Sequence, residues 1–344
     1  MKTVAISSAG PDLPDVNMSQ NLRAVRTFIK ENGLIPNLKA LEQPAPWMFL
    51  GLIVMDWSVI IAAMAMPVYL SLWLLPISTI VIASRQRALG IFIHDATHKH
   101  ISRNTRFNDI VAQYLLALPL FEDMTTYRKN HVNHHRNLGH DSNDPDYVDP
   151  RWFAHIDATD TGAAAKIYLA LLKIKLMAGV QLRFDAFCWW SALTVLLALC
   201  LGLDNALAMV CIWLVSYLTV YKAITTFTEL SDHTYGVDGD LTYTRTIPWS
   251  VLVEICYPHN DRFHLAHHLL AGIPTPRLNR AHKMLRGMQE YAKSDTCDSL
   301  ACLFQEWTQL LPNKPSHPKP SIAAQLMGSL KGSSSMTPNL SGAA

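Results

Sequence analysis

Charge is scarce in this chain: 16% of its 344 residues are Asp, Glu, Lys or Arg, against roughly 25% in soluble domains. With 50% hydrophobic residues, that deficit argues against a soluble enzyme and for a membrane protein. A formal net charge of +2 leaves no basic surplus to neutralise phosphates, so no nucleic-acid partner is expected. The cysteines (Cys188, Cys200, Cys211, Cys256, Cys297 and Cys302) include no CxxC pair, which argues against a zinc ribbon or a fused rubredoxin. There is no HExxH string of a zinc hydrolase, no GxGxxG and no HPGG-like haem pocket. Met1–Asn17 has one Lys and no apolar core followed by a small-residue cleavage site, so no signal peptide is expected.

The hydrophobic residues are gathered into runs. Trp47 to Ser84 is apolar almost throughout, broken by Asp56, Pro67 and Pro76. A span takes about 20 residues, so this stretch predicts a tight hairpin, with spans at about 47–64 and 68–84 and the turn near Pro67. A second pair is expected at about 186–203 and 206–224, turning at Asp204-Asn205. Lys and Arg avoid both turns and, Lys222 apart, fall in the segments before, between and after the hairpins. By the positive-inside rule those segments and both termini are cytoplasmic, and in a bacterium the membrane is the inner one. Asp56 is costly in a bilayer unless it faces protein or water. The patch from Asn108 to Phe121 is too short to cross and reads as re-entrant or interfacial. Apolar residues alternating with Lys166, Lys173 and Lys175 over 163–180 predict a helix on the membrane surface. The predicted organisation is a cytoplasmic segment over 1–45, an all-α membrane domain over 46–311 and a disordered tail over 312–344.

Histidine is abundant, with fifteen residues, most of them grouped. His94 and His98 form HxxxH; His131, His134 and His135 form HxxHH; His264, His267 and His268 repeat HxxHH. Residues three and four apart share a helix face, so each group can aim its rings at one point. Neutral imidazole suits iron, copper, zinc and nickel. The boxes supply eight imidazoles where one structural zinc takes about four ligands, so two metals are the natural reading. Asp95, Asp144, Glu229 and Asn260 are candidates to orient imidazoles through their second nitrogen. His100, His140 and His259 flank the boxes without repeating their spacing. Arg128 reads as a membrane-face or capping charge.

The strings HDATH, YRKNHVNHHRN, DPD at 144–146 and FHLAHHLLAGIPTPRLNRAH resemble, in that order, the three-box signature of membrane fatty acid desaturases and their hydroxylase and ketolase relatives. The resemblance covers roughly residues 45 to 290. It implies four transmembrane helices in two hairpins, with a cytoplasmic helical cap carrying the boxes. It also implies two non-haem irons and a further histidine after the last span, for which His233 is the matching position. The implied activity is O2-dependent desaturation of an acyl or lipid-like chain; the alternative is hydroxylation or ketolation of a carotenoid or specialised metabolite. Box one is HDxxH, as in the ketolase-like branch, and Ala266 stands where many relatives carry Glu, which leaves the substrate open. With no redox domain fused, a ferredoxin, rubredoxin or cytochrome b5 type donor with its reductase is the implied partner. A histidine-rich metal transporter is the remote alternative, disfavoured because transporters place ligands near the bilayer midplane.

Overall fold

Apolar runs hold their backbone hydrogen bonds internally by coiling, and among the described residues every regular element is helical. The computed structural model describes residues 18–138, 144–180, 183–233, 243–294 and 297–311. His140 and the expected tail at 312–344 lie outside these residues.

Helices α1 (Met18–Glu31) and α2 (Ile35–Leu41) precede the first apolar run. That run forms α3 (Pro46–Tyr69), opened by proline in its first turn, where the missing N–H costs nothing. After a 3-10 turn at Leu72–Leu74 the chain returns as α4 (Leu75–Thr97). The expected turn at Pro67 is therefore corrected: Pro67 lies inside α3, and the chain reverses where Ser71 accepts a hydrogen bond from Trp73 N. Pro76, in the first turn of α4, is the proline that marks a helix start.

Three short pieces follow: α5 (Thr105–Val111), a π-helical stretch at Ala112–Ala117 and a 3-10 turn at Leu118–Leu120. Asp123 then caps α6 (Met124–Asn137), accepting from Thr126 N at 2.8 Å. The lysine-bearing stretch forms α7 (Ala163–Met177). Helix α8 (Phe184–Leu201) ends at Gly202, whose φ of 83° and ψ of 154° suit glycine alone. It is here, and not at Asp204-Asn205, that the second hairpin reverses; Asp204 sits in the first turn of α9 (Leu203–Ser216), where a carboxylate complements the helix dipole. A π-helical turn at Tyr217–Tyr221 joins α9 to α10 (Lys222–Asp232). The remainder is short: α11 (Val251–Cys256), α12 (His264–Leu269), α13 (Leu278–Leu285), α14 (Gln289–Ser294) and α15 (Leu300–Trp307).

Among the described residues three helices, not the expected four, are long and apolar enough to cross a membrane: Pro46–Tyr69, Phe184–Leu201 and the continuous Leu203–Asp232. Arg85, Gln86 and Arg87 break the apolar run of α4. The exposed side chains along these helices, Val54, Ile61, Phe187, Leu196 and Leu199 among them, have no use in water, and the protein is membrane-associated.

Helices α3, α4 and α9 enclose one core, in which Phe49 meets Phe92 edge to face at 5.5 Å and Trp57 stacks on Trp213 at 5.6 Å. Asp56 is fully buried in it, with Arg85 Nη1 at 3.0 Å and His259 Nε2 at 2.8 Å. A second core joins α7, α10 and α15 through Ile167, Leu171, Phe227, Leu230 and Trp307.

Candidate metal centre

Four separate stretches of chain bring the boxes together. Helix α4 runs on beyond its apolar part and presents His94 and His98 one turn apart. Helix α6 does the same with His131, His134 and His135, α12 with His264, His267 and His268, and the residue ending α10 is His233. All nine expected histidines converge, in two groups. His94, His98, His131, His135 and His267 place one nitrogen each within 4.8 Å of one another, and His134, His233, His264 and His268 do likewise. The groups touch: the His135 and His268 rings stack with centroids 4.5 Å apart.

Too many nitrogens meet at hydrogen-bond distance for hydrogen bonds alone to explain. His135 Nε2 lies 2.9 Å from His131 Nε2 and 3.1 Å from His267 Nε2, and these in turn lie 2.9 Å from His98 Nε2 and His94 Nε2. A neutral imidazole nitrogen offers one proton or one lone pair, so His135 cannot satisfy two such neighbours. A cation at the centre can: bonds of about 2.1 Å at right angles set adjacent nitrogens about 3.0 Å apart. The residues therefore fit a metal in each group.

Electrostatics agree. Burial, reinforced by neighbouring imidazoles, pushes His94, His131, His135, His264, His267 and His268 far below the ordinary histidine range, and holds His98 and His233 down to about 3. These rings are neutral donors at physiological pH. His134 is the exception: burial works against its charge, but the hydrogen bond to Asp144 and the charges of Asp146 and Asp144 outweigh it and raise its pKa. Asp144 accepts from His134 Nδ1 at 2.8 Å, which turns Nε2 inward.

Of the expected orienting residues, Asp144 alone touches a box imidazole in this way. Asp95 instead binds His100 Nδ1 at 2.8 Å and the Thr275 amide at 3.0 Å, tying box one to the turn after box three. Glu229 pairs with Lys175, and Asn260 Nδ2 donates to Pro276 O. Arg128 pairs with Asp109 at 2.6 Å, joining α6 to α5, and also donates to Ala96 O in the last turn of α4, a capping contact. His100 is buried on Asp95 and His259 on Asp56. Sequence reading missed Arg245, which is 2% exposed, pairs with Glu306 and donates to His233 O at 2.5 Å. Its place in TRT, with no histidine within eight residues, gave no cue.

A cavity of about 400 Å³ opens on both groups, reaching His94 and His131 of one and His134, His233 and His264 of the other. Its aliphatic lining is Ile91 and Ala178; Tyr127, Tyr217 and Tyr221 add phenols.

A family model described as fatty acid desaturase matches residues 67–296. Among characterised proteins, the dihydrorhizobitoxine desaturase of Bradyrhizobium elkanii is 26% identical over 300 residues, covering 79% of this chain and 82% of that protein.

Proposed function

Because this chain belongs to the fatty acid desaturase family, we propose that its nine converging histidines are the iron ligands of an O2-dependent desaturase acting on a saturated acyl chain. The two imidazole groups form a non-haem di-iron centre. One iron is assigned to His94, His98, His131, His135 and His267, the other to His134, His233, His264 and His268. Such a pair would supply, with O2, two electrons and two protons, the oxidising power for loss of one hydrogen from each of two adjacent carbons with two waters formed, chemistry that side-chain acids and bases cannot perform.

The chain's own part is positional. Burial keeps the imidazoles other than His134 neutral and so able to donate. Asp144 fixes the tautomer of His134, and Arg245 holds the backbone at His233. Ile91 lines the cavity beside His94 and offers an apolar contact to a methylene group where C–H bonds are to be broken. We assign α4 as a fourth span despite its arginines, since it pairs along α3, with the boxes and both termini on the cytoplasmic side. The domain limits are assigned as 1–45, 46–311 and 312–344. Electrons are assigned to an external ferredoxin, rubredoxin or cytochrome b5 type carrier.

The observation that carries this reading is the convergence of nine imidazoles, none of them exposed, in two touching groups inside the matched family segment. The relative named for desaturation favours alkene formation over oxygen insertion. Mass spectrometry of products from cells expressing the protein tests it: desaturation removes about two mass units, whereas a hydroxylase on the same scaffold would add about sixteen.

A further inference from the structure

Cys297 and Cys302 have no CxxC spacing to announce them, yet the turn that starts α15 brings their sulfurs to 2.8 Å. Ser299 makes that turn by accepting from Cys302 N, which fixes Cys302 in the first turn of the helix. A disulfide takes about 2.05 Å, so bonding needs a closing movement of less than about an ångström. Cys297 is buried, whereas Cys302 is partly exposed and open to a reagent from solution.

The two thiols begin a chain of polar contacts that ends at the metal centre. Cys297 Sγ–H donates to Glu306 Oε1 at 3.2 Å, Glu306 pairs through Oε2 with Arg245, and Arg245 donates to His233 O at 2.5 Å. The Arg245 backbone joins two ligand-bearing segments as well: its N–H donates to Asp232 O at 3.3 Å, and its carbonyl accepts from Leu265 N at 2.9 Å, next to His264. Burial, then the Cys302 thiol and the charge of Glu306, push the Cys297 thiol up, so it keeps its proton and stays a donor. Two thiols and a carboxylate so grouped could also hold a metal ion. Here, however, the Arg245 guanidinium is paired with Glu306 and lies 3.9 Å from Cys297 Sγ, and it already supplies the cation.

We infer that Cys297 and Cys302 are a redox-active dithiol, closed to a disulfide by small-molecule disulfides, and that closure loosens the iron held by His233. Cys302, as thiolate, attacks one sulfur of the small disulfide; that S–S bond breaks, and one small thiol leaves. Cys297 then gives its proton to Glu306 Oε1 and attacks the Cys302 sulfur, expelling the second small thiol, which is protonated in turn. Two protein thiols are oxidised and one small disulfide is reduced to two thiols. Glu306 thereby loses the donor that fixed Oε1, and Arg245, anchored on Glu306, holds His233 O less firmly. The coupling rests on the iron ligands proposed above, but the thiol step needs no iron, so the two fail separately.

The test uses the full iron-loaded chain in lipid nanodiscs, equilibrated anaerobically with mixtures of reduced and oxidised glutathione. Peptide mapping should show the peptide carrying both cysteines losing about two mass units as the mixture turns oxidising, and regaining them with excess thiol. Cys302→Ser should abolish this, and Cys297→Ser should stall at a mixed disulfide on Cys302. After the glutathione is removed, chelator titration should release the iron of the His134, His233, His264 and His268 group from the disulfide form at about two- to ten-fold lower chelator, the reach of one hydrogen bond. The shift should be absent in Cys302→Ser. No internal disulfide at any ratio would overturn the dithiol, as would zinc that copurifies with the parent and is lost in Cys302→Ser. A disulfide that forms while iron release stays unchanged would overturn the coupling to His233.

Discussion

Replacing Asp144 with Asn should loosen one half of the metal centre and leave the other half in place. The carboxylate accepts from His134 Nδ1 at 2.8 Å, and both side chains are 3% exposed, so solvent does not screen the pair. Asn keeps the shape and removes the charge, exchanging a charged hydrogen bond of about 1.5–3 kcal/mol for a neutral one of about 0.5–1.5 kcal/mol. Asn can also present its NH2 to Nδ1, which would move the imidazole proton to Nε2 and take the lone pair away from the metal. Losses of this kind amount to roughly 10–100-fold in metal affinity, or about 1.4–2.7 kcal/mol. The assay is anaerobic chelator titration of iron-loaded protein. Iron in the group of His134, His233, His264 and His268 should leave at about 10–100-fold lower chelator, while iron in the other group leaves where it did. If both phases move together, or neither moves, the division into two ligand sets around Asp144 is wrong.

Ligand deletions should separate the same two sets: His98→Ala and His268→Ala should each lower bound iron from about two per chain to about one, read by elemental analysis, with folding retained. Asp56→Ala strips the buried partner from Arg85 and His259 and should cost about 3–5 kcal/mol; a denaturation midpoint within error of the parent would remove that network from the stability of the bundle. Gly202→Ala places a Cβ where nothing lies within 4 Å, so its cost is backbone strain alone, about 1–3 kcal/mol. That loss should appear in thermal unfolding of the purified protein, and an unchanged midpoint would return the second reversal to Asp204-Asn205.

The site was legible because its chemistry is written in spacing. Imidazoles at i, i+3 and i+4 face one way on any helix, so the boxes declared their aim before their partners were known. Asp144 was legible for a related reason: a DPD turn soon after box two is near enough to return to it. The reversals were less so. Pro67 and Pro76 look alike in an apolar run, yet one sits near the end of α3 and the other in the first turn of α4. The second reversal depends on one glycine's left-handed φ, which Asp204-Asn205 hid by carrying the usual polar marks of a turn. Arg245 was illegible because its contacts, Glu306 and His233 O, are made by tertiary packing.

The charges that looked misplaced in the spans have a use once box three is considered. Helix α12 has six residues and three histidines, too few turns to stand by itself in any solvent. The chain leading into it holds His259 and Asn260 at φ of 60° and 71°, a conformation that costs non-glycine residues free energy. Polar contacts to the first hairpin offset that cost. Asp56 of α3 binds His259, Arg87 of α4 binds Asp261, and Asp95 at the end of α4 binds the Thr275 amide just after the box. Box three is thus fastened on both sides to the helices that carry box one. A carboxylate and two arginines are kept in these largely apolar helices because His264, His267 and His268 would otherwise have no fixed position relative to His94 and His98.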